Sequence, residues 1–267
     1  MPQQLTTLIE QRLDDMTRLE KTIAHYFIHL DHQESDLTQE TVCKVLHLSP
    51  SALTRFAKKC GFSGYREFVF EWQKSRQAAD QDFEHIHKSL TKRVLVDYNA
   101  IISMTNLLVD EEKLEHIAQL IDQSKRVYFY GIGSSGLVAM EIKSRFLRLG
   151  LFCEAVTDYS NLRWTTNILD NSCLVIGLSL SGQTDEVLTN LALAAEKGIP
   201  TALLTSKPLA DERYGHIIPV ASVRNLNYGN RISPQIPLLM MIDILYAYFQ
   251  AIDKDKKESI FQHTIDG

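Results

Sequence analysis

Apolar residues recur at helical spacing through the amino-terminal part of the chain, and polar residues fill the positions between them. From Ile23 to Leu30 the apolar residues stand three or four positions apart, which predicts an amphipathic helix. Thr17 and Glu20 have the spacing of a capping box, so the helix is expected to begin there. The polar residues at 31–36 are expected to end it.

Two short helices with a tight turn between them are predicted next. Thr38 is placed to cap the first helix, and Ser49 followed by Pro50 is placed to begin the second. Gly61 is expected to end the second helix. The apolar face of the first helix is predicted to contain three aliphatic residues, Val42, Val45 and Leu46. This arrangement is typical of a helix-turn-helix unit.

The second of these helices has one apolar and one polar face. Four residues at helical spacing are predicted to be buried, namely Leu53, Phe56, Ala57 and Cys60. Hydroxyl groups near the helix start and cations further along would suit the base edges and phosphates of DNA. The residues expected to contact DNA are Thr38, Ser49, Ser51, Thr54, Arg55, Lys58 and Lys59. A solvated polar face on a small helical domain is the alternative that periodicity leaves open.

The distribution of charge favours DNA binding by this segment. The formal net charge of −5 argues against a generic polyanion binder. Residues 1–48 carry four Lys and Arg against eight Asp and Glu, whereas residues 49–77 carry six against two. A basic patch on an otherwise acidic chain can mark a nucleic-acid face.

The sequence predicts no metal centre, disulfide framework or membrane span. The four cysteines form no Cys-x-x-Cys pair, and the nine histidines lack the His-Glu-x-x-His spacing. The apolar runs are shorter than a bilayer requires, and no signal peptide precedes them. We therefore expect a cytoplasmic protein with reduced thiols, no cofactor and no membrane partner.

The carboxy-terminal half alternates apolar runs with helical patterns, which predicts a parallel sheet covered by helices. Strands are expected at 127–130, 152–156 and 173–178. Helices are expected after the first strand as far as Gly150, from Glu186 to Lys197, and from Ile236 to Ile252.

Hydroxyl-rich loops follow two of these strands. Carboxyl ends of parallel strands share one edge of a sheet, and the helix N-termini there favour an anion. The predicted phosphate-binding residues are Gly133, Ser134, Ser135, Ser179, Ser181, Gly182 and Thr184. No Lys or Arg lies within residues 179–184, so neutral donors are expected to hold most of the phosphate.

The first loop also fits a dinucleotide site. Residues 131–136 satisfy the Gly-x-Gly-x-x-Gly pattern between a strand and a helix, and Asp158 lies just past the next strand. Two hydroxyl-rich turns suit one compact phosphate better than a long dinucleotide. A phosphosugar site is therefore favoured, and a dinucleotide site remains an alternative.

Residues 49–68 resemble the amino-terminal domain of the RpiR/MurR family of bacterial sugar-metabolism regulators. The match comprises a Ser-rich start, an Arg-Phe pair and a Gly-Phe-x-Gly-Tyr sequence that ends at Tyr65. Cys43 and His47 stand where Ala and Gly are usual in the family. Both departures are expected to alter packing or turn geometry slightly.

Residues 127–205 resemble the SIS (sugar isomerase) domain, which binds phosphosugars. The match consists of the Gly-x-Gly-x-Ser loop, a second strand and the Ser-x-Ser-Gly-x-Thr loop. Gln183 stands where Glu is frequent, and the family pattern weakens after Ser206. The resemblance implies that four hydroxyl groups contact the sugar phosphate, those of Ser135, Ser179, Ser181 and Thr184.

The two resemblances imply a DNA-binding transcriptional regulator of carbohydrate metabolism, whose DNA binding a sugar phosphate or amino-sugar phosphate modulates. The implied fold is a small all-α helix-turn-helix domain followed by a three-layer α/β/α SIS domain with a parallel, flavodoxin-like sheet. The expected domains are 1–77, a linker and connecting helix at 78–108, and 109–267. The expected partners are double-stranded operator DNA, the effector, and further copies of the chain in a homodimer or homotetramer.

A sugar-phosphate isomerase is one alternative function, and a dinucleotide-sensing regulator is another. An isomerase needs a placed acid or base, and the candidates by residue type are Glu141, Glu154, Asp158 and His216. Arg231 and Ser233 are candidates for the pocket mouth, or else a solvated Arg and a helix cap. An isomerase has no use for a helix-turn-helix unit, which favours a regulator without catalytic residues.

Overall fold

The computed structural model describes residues 5, 8–9, 12–30, 36–82, 86, 88–207, 212–222 and 232–266. The chain divides into two compact units, Met1–Ile102 and Ser103–Gly267. Arg231, a candidate for the pocket mouth, lies outside the described residues.

The first unit is helical. Its helices are α1 (Arg18–His29), α2 (Gln39–Leu46), α3 (Pro50–Lys59), α4 (Tyr65–Asp82) and α5 (Ser89–Leu108), the last of which extends past Ile102. Aromatic rings fill the core between α1, α3 and α4. The ring centroid of Phe27 lies 6.0 Å from that of Phe56 and 4.8 Å from that of Phe68. Because Phe27 and Phe56 lie on the predicted apolar faces, periodicity identified this core correctly.

Side-chain caps begin two of these helices, as the sequence predicted. At α1 the backbone N–H of Glu20 donates to Thr17 Oγ1, and the backbone N–H of Thr17 donates to Glu20 Oε2 at 2.8 Å. At α2 the backbone N–H of Thr41 donates to Thr38 Oγ1 at 3.3 Å. Each cap gives an acceptor to an N–H group that has no partner within its helix.

Three predictions for this unit are wrong. Ser49 precedes α3 but makes no side-chain cap, since its hydroxyl oxygen lies 2.9 Å from that of Ser51. Val45 is 54% exposed, because the buried stripe of α2 runs through residues four apart, Val42 and Leu46. The apolar spacing over residues 90–108 predicts a docking helix whose buried face begins at Leu90, but Leu90 is 74% exposed. The buried part of α5 lies further along the helix, at 100–101 and Thr105.

The second unit contains a five-stranded sheet with helices around it. Its strands are β1 (Arg126–Gly131), β2 (Cys153–Val156), β3 (Cys173–Leu178), β4 (Thr201–Thr205) and β5 (His216–Pro219). Its helices are α6 (Glu111–Gln123), α7 (Ser134–Arg148), α8 (Tyr159–Ile168), α9 (Asp185–Glu196), α10 (Ile236–Ala251) and α11 (Lys254–Asp266). The sequence analysis did not predict β4, β5, α8 or α11.

All strands of the sheet are parallel, in the order β2-β1-β3-β4-β5. This is the flavodoxin-like order, in which the strand order reverses between β1 and β3. Gly131 at the end of β1 pairs in register with Leu178 at the end of β3. The loops that follow these strands therefore leave the sheet side by side. The predicted fold class is confirmed.

A helix that spans a membrane must be both long and apolar. Taken singly, none of the described helices meets both conditions; the pair α10 and α11 does so only jointly, across a bend of 111°.

Candidate functional site

The polar face of α3 is the first candidate site, and its exposure follows from how the opposite face packs. Leu53 and Phe56 are completely buried. Ser51, Arg55 and Lys58 are therefore turned outward and are exposed. Thr54 is half-buried, and its hydroxyl donates to the backbone oxygen of Pro50 at 3.1 Å.

Lys59 holds α3 to α1. Its ammonium lies 3.0 Å from Glu20 Oε2, and only 32% of the Lys59 side chain and 12% of the Glu20 side chain are exposed. Arg12 donates to the backbone oxygen of Lys59 at 2.7 Å, next to the carboxy-terminal end of α3. Burial raises the pKa of Glu20, but hydrogen bonds from Thr17 and Lys59 outweigh it and lower the pKa overall. Sequence periodicity could not reveal these long-range contacts.

Thr38 is also predicted to contact DNA, but its hydroxyl makes hydrogen bonds to Thr41 in the first turn of α2. Besides capping α2, Thr38 lies beside the Asp36 carboxylate, which accepts hydrogen bonds from the Thr38 backbone N–H and from Thr41 Oγ1. The next residue, Gln39, donates through its side-chain amide to the Pro50 oxygen at 3.1 Å. Gln39 thus fixes the start of α3, a role that the sequence analysis missed.

The second candidate site lies where β1 and β3 end. At the end of β1, a methyl group on Gly131 would come within 2.7 Å of the Ser135 backbone oxygen, so only glycine permits this approach. Gly133 precedes α7 with φ +61° and ψ −128°, a conformation that favours glycine. Ser134 is exposed and Ser135 is buried in the first turn of α7.

The loop after β3 is held by hydrogen bonds among its own residues. Ser179 is 1% exposed, and its hydroxyl donates to Thr184 Oγ1 at 3.1 Å. The backbone N–H of Gly182 donates to the Ser179 backbone oxygen, and that of Gln183 to Ser181 Oγ. Neither Thr184 before α9 nor Gly133 before α7 provides a side-chain cap. The two helices therefore begin at the same edge of the sheet without side-chain caps.

Residues at and after the end of β4 make hydrogen bonds and close contacts with this loop. The backbone N–H and the hydroxyl of Ser206 both donate to the Leu180 oxygen, at 3.0 and 2.6 Å. Gly182 has φ +60°, and a methyl group there would lie 2.9 Å from Thr205 Oγ1 and 2.7 Å from Lys207 Cβ. Lys207 is a cation at this edge that the sequence analysis did not identify. Only the pairing of β3 with β4 brings it there.

The four acid and base candidates make other contacts. Glu141 lies 3.6 Å from the Arg145 guanidinium, and burial raises its pKa. Glu154 lies 2.5 Å from the Lys143 ammonium. Asp158 caps α8 by accepting the backbone N–H of Asn161. His216 begins β5, at the opposite edge of the sheet from the loops.

Two further observations concern the chemistry of the unit. The ring centroids of His216 and His116 lie 4.9 Å apart, and burial together with His116 lowers the pKa of His216. Among the described residues, no three His, Cys, Asp or Glu side chains are grouped to hold a metal ion.

Comparison with known families matches both units. Residues 3–78 match the helix-turn-helix domain of the rpiR family, and residues 120–221 match the SIS domain. An HTH-type transcriptional regulator of Haemophilus influenzae is 23% identical over 94% of this chain and 91% of its own length. The HTH-type transcriptional regulator RpiR of Escherichia coli is 20% identical over 97% of this chain and 90% of its own length.

Among solved structures, the Vibrio vulnificus NanR protein complexed with ManNAc-6P superposes with a TM-score of 0.62 at 18% identity. The superposition covers 98% of this chain and 97% of that chain and shows that the two chains share a fold. The two matched domains follow one another along the chain, and the regulators named above align with nearly its whole length. The chain therefore contains an amino-terminal helix-turn-helix domain of the rpiR family and a SIS domain after it.

Proposed function

We propose that the protein binds operator DNA through the polar face of α3, and that a sugar phosphate bound at the ends of β1 and β3 modulates this binding. One observation carries the proposal: two hydroxyl-rich loops leave adjacent strands side by side, each before a helix without a side-chain cap. Such an edge suits a compact anion. A chain that combines it with a helix-turn-helix unit suits a regulator that senses a phosphorylated metabolite.

In the DNA-binding face, Ser51 and Arg55 are assigned to base edges and Lys58 to a phosphate. All three are exposed on one face of a helix whose other face is buried in the core. Ser49 directly precedes this helix, and Thr54 lies within it, next to Arg55. Lys59 and Thr38 are assigned supporting positions, because their side chains already make contacts with Glu20 and with the turn at Thr41.

In the effector site, the phosphate is assigned to Ser179, Ser181 and Thr184, with Ser135 opposite and Gly133 and Ser134 supplying backbone N–H groups. Gly182 is assigned to the close approach of the backbone, because its own N–H already donates to the Ser179 oxygen. The neighbouring structure of NanR contains ManNAc-6P, an amino-sugar phosphate, which supports this ligand class. The dinucleotide alternative is less well supported. The carboxylate of Asp158, which a dinucleotide site would use for a ribose, caps α8 instead.

The DNA-binding assignment is tested by two substitutions measured at fixed salt. Arg55→Ala should weaken binding of the specific operator by about 1–3 kcal/mol, because a bidentate contact to a base is lost. Lys58→Ala should weaken binding to all DNA more evenly and lower the salt slope by about 1. Lys125→Ala, which removes the same charge from the second unit, is the control. Operator binding by both α3 variants at the wild-type level would contradict the assignment.

Isomerase activity is expected to be absent. Ser and Thr hydroxyls are poor bases without a partner, and the acid and base candidates Glu141, Glu154 and Asp158 make ion-pair or capping contacts. The measurement is turnover of ketose and aldose phosphate pairs. Turnover well above buffer that Ser181→Ala abolishes would contradict this expectation.

The protein is expected to act as a homodimer or homotetramer. One helix-turn-helix covers a short half-site, so specific affinity requires two. The exposed apolar residues Leu137, Met140 and Leu147 form a stripe on α7 that suits contact between copies. A monomer in sedimentation at micromolar concentration that still binds operator tightly would contradict this expectation.

A further inference from the structure

The candidate phosphate site would carry unfavourable charge if it consisted only of the two loops. Asp185 and Glu186 occupy the first turn of α9, directly after Thr184, and both are exposed. Carboxylates in this position stabilise the helix dipole but repel a dianion bound near the same N-terminus. Hydroxyl and backbone donors stabilise an anion through their dipoles, but they carry no net charge, so the two carboxylate charges remain uncompensated. A cation from elsewhere in the chain would compensate them.

Lys207 reaches the loop from the neighbouring strand. It follows β4, and its backbone N–H donates to Thr205 Oγ1 at 3.2 Å, which fixes the turn after the strand. A methyl group on Gly182 would lie 2.7 Å from Lys207 Cβ and 3.1 Å from Lys207 Cδ. The aliphatic stem of Lys207 therefore lies against the backbone of Gly182. Its ammonium is two bonds beyond Cδ, so it is carried by a stem that lies against the loop of Ser181 and Thr184.

The charge of Lys207 is not engaged by a carboxylate in the described part of the chain. The ion pairs there involve other cations, such as Lys143 with Glu154 and Lys257 with Asp122. Lys207 itself is exposed. A lysine held by its stem, with its ammonium in solvent, suits an anionic ligand as a point charge.

We propose that the Lys207 ammonium contacts the phosphate group of the effector and gives the site its preference for a dianion. This inference rests on the proposed function of the loops after β1 and β3, and it names the cation of that site. The Ser179–Thr184 loop positions the phosphate, and Lys207 offsets the charge of Asp185 and Glu186. The site then binds a phosphate dianion more tightly than a monoanion of the same shape.

The probe for this inference is methyl phosphate, a phosphate monoester without a sugar. A monoester has a second pKa of about 6, so it is a dianion at about pH 8 and largely a monoanion at about pH 5. Lys207→Met keeps the stem on Gly182 and removes the charge, whereas Lys207→Arg keeps the charge. Lys125→Met is the matched control, because Lys125 is an exposed lysine just before β1, at the opposite edge of the sheet.

At about pH 8, Lys207→Met should bind methyl phosphate about tenfold more weakly than wild type, equivalent to about 1.4 kcal/mol. At about pH 5 the difference should shrink, because the monoanion carries less charge. Lys207→Arg and Lys125→Met should bind like wild type. Melting temperatures without phosphate check that each variant is folded, and Lys207→Gln replaces Lys207→Met if that variant is not.

Two results would overturn the inference in distinguishable ways. If Ser181→Ala weakens binding and Lys207→Met does not, Lys207 is not the cation of the site, while the site itself stands. If wild type does not bind methyl phosphate, or neither variant weakens binding, the proposed effector site fails together with the role of Lys207.

Discussion

The two candidate sites, the polar face of α3 and the loops that follow β1, β3 and β4, are both polar surfaces that rest on an apolar core. They differ in how their residues are brought together. On α3, the exposed residues Ser51, Arg55 and Lys58 all come from a single helix. At the sheet edge, Ser135 follows β1, Ser179 follows β3 and Lys207 follows β4. The first surface is local in sequence, whereas the second depends on strand order and on backbone conformations.

This difference indicates which substitutions should disrupt each surface. The α3 surface depends on burial of the opposite face, so it is lost when the core beneath it is lost. The sheet edge depends on close backbone approach, as at Gly182, and on hydrogen bonds between the ends of β3 and β4. Substitutions that target one kind of support should therefore leave the other surface intact.

The largest effect is expected from Phe56→Ala. Phe56 is completely buried against Phe27 and Phe68, so its truncation should lower the free energy of unfolding of the helical unit by about 3–5 kcal/mol. Operator binding should be lost near the physiological temperature, while sugar-phosphate binding remains. Phe70→Ala is the control, because Phe70 is 63% exposed. Equal stability of the two variants in chemical denaturation would contradict the packing account.

The next effect is expected from Gly182→Ala. An alanine at φ +60° is strained, and its methyl group would clash with Lys207 and Thr205, so the variant should lose about 1–3 kcal/mol of stability. It should also lose most of its affinity for the sugar phosphate. Gly198→Ala is a matched control, because Gly198 has φ +76° but open space around it. If the two variants bind the sugar phosphate with equal affinity in calorimetry, then binding does not depend on the close packing of Gly182 against Lys207 and Thr205.

A smaller effect is expected from Glu20→Gln. The folded state lowers the pKa of Glu20, so its contribution to stability is present above its usual pKa of about 4.3 and lost as pH falls below it. Glu20→Gln should cost about 1 kcal/mol near neutral pH and almost nothing in acid. Glu40→Gln is the control, because Glu40 also pairs with a lysine, Lys44, but its side chain is 78% exposed. A pH-independent loss in Glu20→Gln would contradict this role.

The sequence predicted the parts of the molecule that depend on local pattern. The limits of β3, the capping box at Thr17 and the buried face of α3 required only spacing and residue type. The hydroxyl-rich loops were found because each directly follows an apolar strand. The family resemblance supplied the order and identity of the domains.

The remaining features depend on contacts between distant residues. The sequence predicts that Lys59 contacts DNA, but in the structure Lys59 forms an ion pair with Glu20, which is distant along the chain. Lys207 was missed because its position at the loop follows from the pairing of β3 with β4. β5 was missed because it has only four residues and lies beyond Ser206, where the family pattern weakens. Ser49 failed as a cap because a second hydroxyl, that of Ser51, lies within reach.

The central claim is that the effector binds at the loop after β3 and acts on the DNA-binding face. The most direct test measures operator affinity against effector concentration for wild type and Ser181→Ala. The effector is the sugar phosphate that stabilises wild type most in a thermal-shift screen of hexose and amino-sugar phosphates, with NAD(H) included. A hydroxyl bond to a charged phosphate is worth about 1.5–3 kcal/mol, so Ser181→Ala should move the midpoint about ten- to a hundredfold higher.

Operator affinity without effector should hardly change in Ser181→Ala, and saturating effector should still act, because the substitution affects binding of the effector and not its differential effect on the two states. A wild-type midpoint in Ser181→Ala would contradict the account. The phosphate would then not bind at the loop after β3, and the loop at Gly131–Gly136 would have to be tested as a dinucleotide site.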